Sequence, residues 1–251
     1  MVDRTSGVPA YRQVADDLRE RIGGGEYAPG DKLPSERDLV ETYGVSRPTV
    51  RDAIGLLRSE GAVVAEHGRG VYVRPATSLV RLSRLSRAAR GENRSAFMGD
   101  AAAAGFPPTV AVRIRFERAD DRTVELLGVA LGAELCVRDR VMSADGVAVQ
   151  LAVSRLPRAV TKGTAIEREN TGTGGVHARL EDAGHVLGYF AETVGARMPT
   201  PAEASTLQLG PGTPVLTVTR VAYGIDGEAL ELNDMVMPAD RYQLSYELPA
   251  D

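Results

Sequence analysis

The chain has 251 residues, 43% of them apolar and 25% charged, an ordinary globular composition with room for about two domains. One cysteine, Cys136, excludes an intrachain disulfide and a cysteine zinc cage, and three histidines argue against a metal centre, so neither metal nor cofactor is expected. No apolar run approaches the roughly 18 residues of a membrane span, the charged N-terminus lacks a signal-peptide core, and the expectation is a cytoplasmic chain without a membrane partner. The net charge of −4 divides into +3 over residues 1–95 and −7 over residues 96–251, which suggests two modules with different partners.

Tyr11, Val14, Ala15, Leu18 and Ile22 recur at helical spacing and predict a first helix that stops at Gly23, Gly24 and Gly25. Ser35 followed by Asp38 forms a capping-box pattern, opening a second helix that buries Leu39, Val40 and Tyr43 and ends at Gly44. Ser46 is placed to cap a third, with Pro48 in its first turn and Val50, Ala53, Ile54 and Leu57 as its buried stripe. Residues 62–66 and 71–74 are β-rich and flank a turn of His67, Gly68, Arg69 and Gly70. Three helices and a hairpin predict a winged helix-turn-helix over residues 1–75. Residues 76–92, with Arg81, Arg84, Arg87 and Arg90 among leucines, read as a basic linker.

Residues 93–251 read as an α+β domain with antiparallel pairing. Val110, Val112, Ile114 and Phe116 alternate as a half-buried strand does, as do Tyr242, Leu244, Tyr246 and Leu248. Asp145-Gly146 and Asp226-Gly227 each sit between β-compatible runs and predict hairpins. Each Asp is followed at five residues by Gln150 or Glu231 and at twelve by Pro157 or Pro238. That pattern suggests a duplicated hairpin unit, with chance as the alternative for so sparse a match.

The third helix turns Pro48, Arg51, Asp52 and Gly55 outward, with Arg47 and Arg58 at the flank. Arg47, Thr49 and Arg51 crowd its leading end, where guanidinium groups can read guanine O6 and N7 in a major groove and a hydroxyl can meet a base or phosphate. Arg37 and Ser46 are placed to bind phosphates, and Arg69 at the wing tip to follow the backbone or enter a minor groove. A solvated helix face is the bland alternative. The runs from Tyr27 through Pro34-Ser35-Glu36-Arg37, Gly44-Val45-Ser46-Arg47-Pro48-Thr49-Val50-Arg51 and His67-Gly68-Arg69-Gly70-Val71-Tyr72-Val73 closely resemble the GntR family of bacterial transcription regulators over residues 9–74. The resemblance implies a dimeric, repressor-type protein that reads a short pseudo-palindromic operator in double-stranded DNA. Its contacts map onto Arg37, Ser46, Arg47, Thr49, Arg51, His67, Gly68 and Arg69, with Pro48 where some members carry a polar residue.

Residues 90–248 are similar to the UTRA effector-binding domain of the HutC branch of that family, a fold like chorismate lyase, through Arg138-Asp139-Arg140, Asp145-Gly146, Gln150, Leu156-Pro157, Asp226-Gly227 and Glu231. This implies a small effector, often anionic or sugar-like, whose presence changes how the two DNA-binding domains are presented. Many members have a carboxylate at the Gln150 position and an aromatic shortly after Glu231, where Met237 stands here.

The residues themselves point the same way. Arg138 and Arg140 share a strand face. If residues 144–146 form a three-residue loop, Arg140 faces Gln150 and Arg138, Ala152 and Ser154 share that side; a two-residue loop sends Gln150 to the other face. Two guanidiniums beside an amide and a hydroxyl would clamp a carboxylate or phosphate, against a plain charged strand as the alternative. Thr171 lies in a glycine-rich segment leading into a helix near 176–182, whose first residues include His177. Glu231 and Asn233 share a face of the second hairpin. An enzyme is the rival reading, without a nucleophile elbow, metal triad or acid/base pair to support it, and a C-terminal half that only dimerises is a third.

Overall fold

Apolar residues at helical spacing gather three helices on one core near the N-terminus. The structure is a computed structural model and describes residues 2–3, 5–66, 68–74, 80–83, 97, 107–210 and 212–246. The chain divides into two compact units, residues 1–78 with 209–213 and residues 79–208 with 214–251.

In the first unit, α1 (Ala10–Gly23), α2 (Glu36–Tyr43) and α3 (Arg47–Ser59) bury Val14, Leu18, Leu39, Val50, Ile54 and Leu57 together. The capping box at Ser35 is complete: its side chain accepts from the Asp38 amide, and Asp38 accepts from the Ser35 amide. Gly44 then ends α2 in the left-handed conformation. Ser46 caps α3 by accepting from the Thr49 amide. β1 (Val63–Glu66) and β2 (Gly70–Val73) pair antiparallel as the wing, with Val63 and Val73 reaching the helical core. His67, expected at the wing tip, lies outside the described residues, as do Arg84, Arg87 and Arg90.

In the second unit, β3 (Val80–Ser83), within the stretch read as linker, pairs in parallel with β10 (Tyr242–Ser245). The main sheet contains β4 (Pro108–Arg118), β5 (Glu134–Ala144), β6 (Val147–Pro157), β7 (Leu187–Arg197), β8 (Val215–Gly224) and β9 (Ala229–Pro238). Its order is β4-β5-β6-β9-β8-β7, antiparallel throughout. α4 (Asp121–Leu127) joins β4 to β5, and α7 (Pro201–Thr206) joins β7 to β8. Between the halves run α5 (Arg158–Thr161), a single 3-10 turn (Ala165–Glu167) and α6 (Gly175–Asp182).

Each half is therefore β-α-β-β, and the correspondence extends to residues. Asp120 caps α4 and Thr200 caps α7; Leu127 and Leu207 are both buried; Gly128 and Gln208, which follow them, both take positive φ, 66° and 52°. At the centre Ala152 pairs with Met235 and Ser154 with Asn233, the pattern of two units exchanged by a half-turn. The duplication thus covers the whole sheet, beyond the two hairpins expected from the Asp-Gly turns.

Of the two loops open to the sequence at 144–146, the two-residue turn forms: Ala144 pairs with Val147, and Asp145 and Gly146 take φ of 50° and 79°, the conformation such hairpins require. That turn alone would set Arg140 opposite Leu151, yet Arg140 lies opposite Ala152, and the partner of Gln150 is Met142. The ladder passes over Val149 between the Ser143–Ala148 and Met142–Gln150 pairs, and this bulge restores the parity that the shorter turn removes. Gln150 consequently shares a face with Arg138, Arg140, Ala152 and Ser154. The second hairpin passes over Leu230 in the same way, just before Glu231.

Candidate functional site

The leading end of α3 is exposed. Arg47, Pro48 and Arg51 face solvent with Ser46, while Thr49 is half-buried and its hydroxyl meets that of Ser46 at 2.8 Å. Helix geometry explains this cluster: the stripe that buries Val50, Ala53 and Ile54 turns the intervening positions away from the core. Arg37, in the first turn of α2, is exposed and pairs with Glu41 at 3.2 Å. Arg51 directs its Nε at both oxygens of Glu36, at 3.1 and 3.0 Å. Arg47 has no ion pair among the described residues. On the wing, Gly68 and Arg69 are exposed, and the Arg69 guanidinium lies 5.9 Å from the Tyr72 ring centre.

Two residues of this surface escape a reading of the sequence. Lys32 forms an isolated bridge with Tyr72, and its ammonium lies 5.9 Å from that ring. A Cβ at Gly70, whose φ is 125°, would approach the Lys32 side chain to 2.7 Å, so a side chain there would displace the lysine as well as strain the backbone. Glu36 is the other. Their signal in the sequence is only adjacency to Arg37 and to the turn before α2.

In the second unit, cross-strand partners place a polar row across one sheet face: beyond Ile114 on β4, Arg138, Ser154, Asn233, Arg220 and Glu192 follow one another from β5 to β7. Apolar clusters bound it on either side, one holding Leu156, Val176 and Ala222, the other Ala152, Val218 and Met235. Arg138 is only 2% exposed and donates through its terminal nitrogens to the carbonyls of Ile166, Arg168 and Glu169. It anchors the loop that follows the 3-10 turn. Three of the four terminal N–H groups of Arg138 are thereby spent on backbone oxygen, which leaves Arg140 the freer guanidinium of the expected pair.

Arg140 is different. Its Nη2 donates to Ser154 Oγ and, at 3.2 Å, to Asn233 Oδ1, both side-chain oxygens, while its Nε, like that of Arg138, is buried without a partner. No carboxylate oxygen among the described residues lies within ion-pair distance of it. Burial lowers its pKa, an effect that the Glu231 charge opposes and the Arg220 charge reinforces. Burial would raise the Glu231 carboxyl, but the hydrogen bond and charge of His177, the charge of Arg140 and the Ser154 hydroxyl outweigh it and hold it down to about 2. His177 Nε2 stands 2.9 Å from Glu231 Oε2, and its ring packs 5.3 Å from that of Phe190. Gln150 is buried on the same face. Thr171 stands apart, its carbonyl accepting from Arg179.

Sequence reasoning missed Arg220, Glu192 and Phe190. Arg220 donates to Glu192 at 2.5 Å and lies 5.1 Å from the Phe190 ring centre. The available signal was the repeat itself, since Arg220 corresponds to Arg140: each lies opposite the second residue after the Gln150 or Glu231 position. The opposite sheet face holds an ion-pair network instead, Arg115 with Glu117 and Asp139, and Arg155 and Arg122 with Asp234, over a core containing Leu127, Leu135 and Leu232. An open hollow of about 450 Å³ near Ala133, Pro157 and Lys162 involves none of the polar row.

Comparison with known proteins finds a match for each of the two regions that hold these residues. Residues 10–73 match the model for bacterial regulatory proteins, gntR family, and residues 105–243 the UTRA domain. An uncharacterised HTH-type transcriptional regulator of Streptomyces coelicolor is 32% identical over 95% of this chain and 92% of its own. The HTH-type transcriptional repressor NagR of Bacillus subtilis is 27% identical over 96% and 95%. Among solved structures, a GntR-family transcriptional regulator matches with a TM-score of 0.72 at 31% identity, covering 97% of this chain and 98% of that one. PhnF from Mycobacterium smegmatis matches with a TM-score of 0.59 at 26% identity, covering 95% and 100%.

Proposed function

The chain belongs to the GntR family of bacterial regulatory proteins and carries a UTRA domain, a DNA-binding transcription regulator with an effector-binding domain; from that premise we propose how its residues divide the work. Arg47, Thr49 and Arg51 read bases at the leading end of α3. Arg37, Ser46, Pro48, His67, Gly68 and Arg69 set the register on phosphates and the groove edge, with Lys32 added beside the wing. The regulator acts in the cytoplasm as a homodimer, and as a repressor, as its relatives NagR and PhnF are.

The effector is a small anion seated at Arg140, with Ser154, Asn233, Gln150, Glu231 and His177 around it and Arg138 bracing the loop alongside. One observation carries this reading. Arg220, the counterpart of Arg140 in the duplicated half, is neutralised by its cross-strand partner Glu192, whereas Arg140 has Val112 in that place. A part-buried guanidinium lacking the carboxylate that its counterpart possesses favours an anion supplied from outside. The domain senses without turnover.

Thermal-shift titration of the full chain with small carboxylates, phosphate esters and uncharged sugars tests this. Stabilisation by anions but not by neutral sugars, lost in Arg140→Ala and without consumption of the compound, is the expected result. Turnover would make it an enzyme. Silence across the anions would leave the domain a scaffold.

A further inference from the structure

We infer that Glu36, the first residue of α2, determines specificity at the DNA-reading surface by holding the Nε edge of the Arg51 guanidinium, so that Arg51 meets guanine through its two terminal nitrogens. The inference rests on the reading of Arg51 as a base contact. Both Glu36 oxygens accept from Arg51 Nε, and neither terminal nitrogen of Arg51 has a hydrogen bond among the described residues. A guanidinium presents two bidentate edges, Nε with one terminal nitrogen or the two terminal nitrogens together. Occupying Nε leaves only the second for the O6 and N7 acceptors of guanine.

The pair joins two helices, so it fixes the direction of Arg51 relative to the whole helix-turn-helix. Glu36 is itself held on a rigid element, because the closed capping box at Ser35 and Asp38 fixes the start of α2. The Arg51 and Glu36 side chains are 63% and 39% exposed, so the pair contributes little to folding and is free to serve readout. A carboxylate at this surface also repels phosphates. Its removal for charge alone therefore strengthens binding to every duplex, whereas its removal as a positioning group weakens one base preference and no other.

The test selects binders for the full chain from duplexes randomised over about two helical turns, comparing wild type with Arg51→Ala, Glu36→Ala and Glu36→Gln. Arg51→Ala should abolish a guanine preference at one position of each half-site. Glu36→Ala should lower that same preference about fivefold, the upper end for an exposed pair, and spare the other positions, while affinity for a non-specific duplex holds or rises. Glu36→Gln, which keeps an acceptor, should fall between and carries the test if the alanine variant does not fold. An unchanged profile in the Glu36 variants beside a changed one in Arg51→Ala overturns the role of Glu36 alone, as does an even loss at every position. An unchanged profile in Arg51→Ala overturns the base contact and this inference with it.

Discussion

Arg47 and Arg51 make the sharpest residue-scale forecast. Truncating either to alanine should cost about 1–3 kcal/mol on the preferred sequence and relax the preference at one base, measured by titrating base-substituted duplexes. A uniform loss on all sequences would instead mark a phosphate contact. Acid behaviour follows from two carboxylates, Glu231 and Glu203, each held at about 2 against an ordinary 4.5. A depressed carboxylate contributes stability that is complete above its unfolded value and lost as pH falls toward the folded one. The urea midpoint of the second unit should therefore drop between about pH 4.5 and 2, and Glu203→Gln, which removes the Arg197 partner, should shrink that drop. Exposed or strand-borne groups such as Arg51, Arg140 and Glu231 were legible from local spacing. Glu36, Arg220 and Glu192 were not, because their roles depend on partners that only tertiary packing or strand pairing selects.

At the scale of elements, caps decided what the sequence revealed. Ser35 with Asp38 and Ser46 before Arg47 announce the starts of α2 and α3, since side-chain oxygen must satisfy amides that a helix start leaves open. Ser46→Ala should lower stability by about 1 kcal/mol in urea titration and loosen the turn that positions Thr49. Gly70→Ala should lower stability in urea titration, because a φ of 125° is closed to a residue with a Cβ, and should also weaken DNA binding by displacing Lys32 from beside the wing. The hairpin register was not legible, because one extra residue, Val149, reverses which side every later side chain occupies. Nothing in the local composition of a β-rich run marks such an insertion. Deleting Val149 should remove the bulge and leave Gln150 opposite Met142 on the same face, so thermal-shift titration should show anion binding retained.

For the whole molecule, linkage between effector and operator is the central expectation. Each must prefer one state of the protein, so each should weaken the other by the same factor at equilibrium. Operator titrations with and without a stabilising anion, and anion titrations with and without operator, should return equal ratios; an effector that leaves operator affinity unchanged would refute the coupling. The two-module division was legible in the charge split and the motifs. The half-turn relation across the sheet was visible only in outline, because its matched positions share geometry while their side chains have diverged.

That divergence suggests how to hold the receptor permanently in its occupied condition. Val112→Glu would copy onto one lobe the internal counter-ion that Glu192 gives the other, so that Arg140 becomes satisfied from within. Such a protein should ignore added anions in calorimetry and carry on DNA the behaviour of its liganded form, a built-in substitute for the metabolite it would otherwise await.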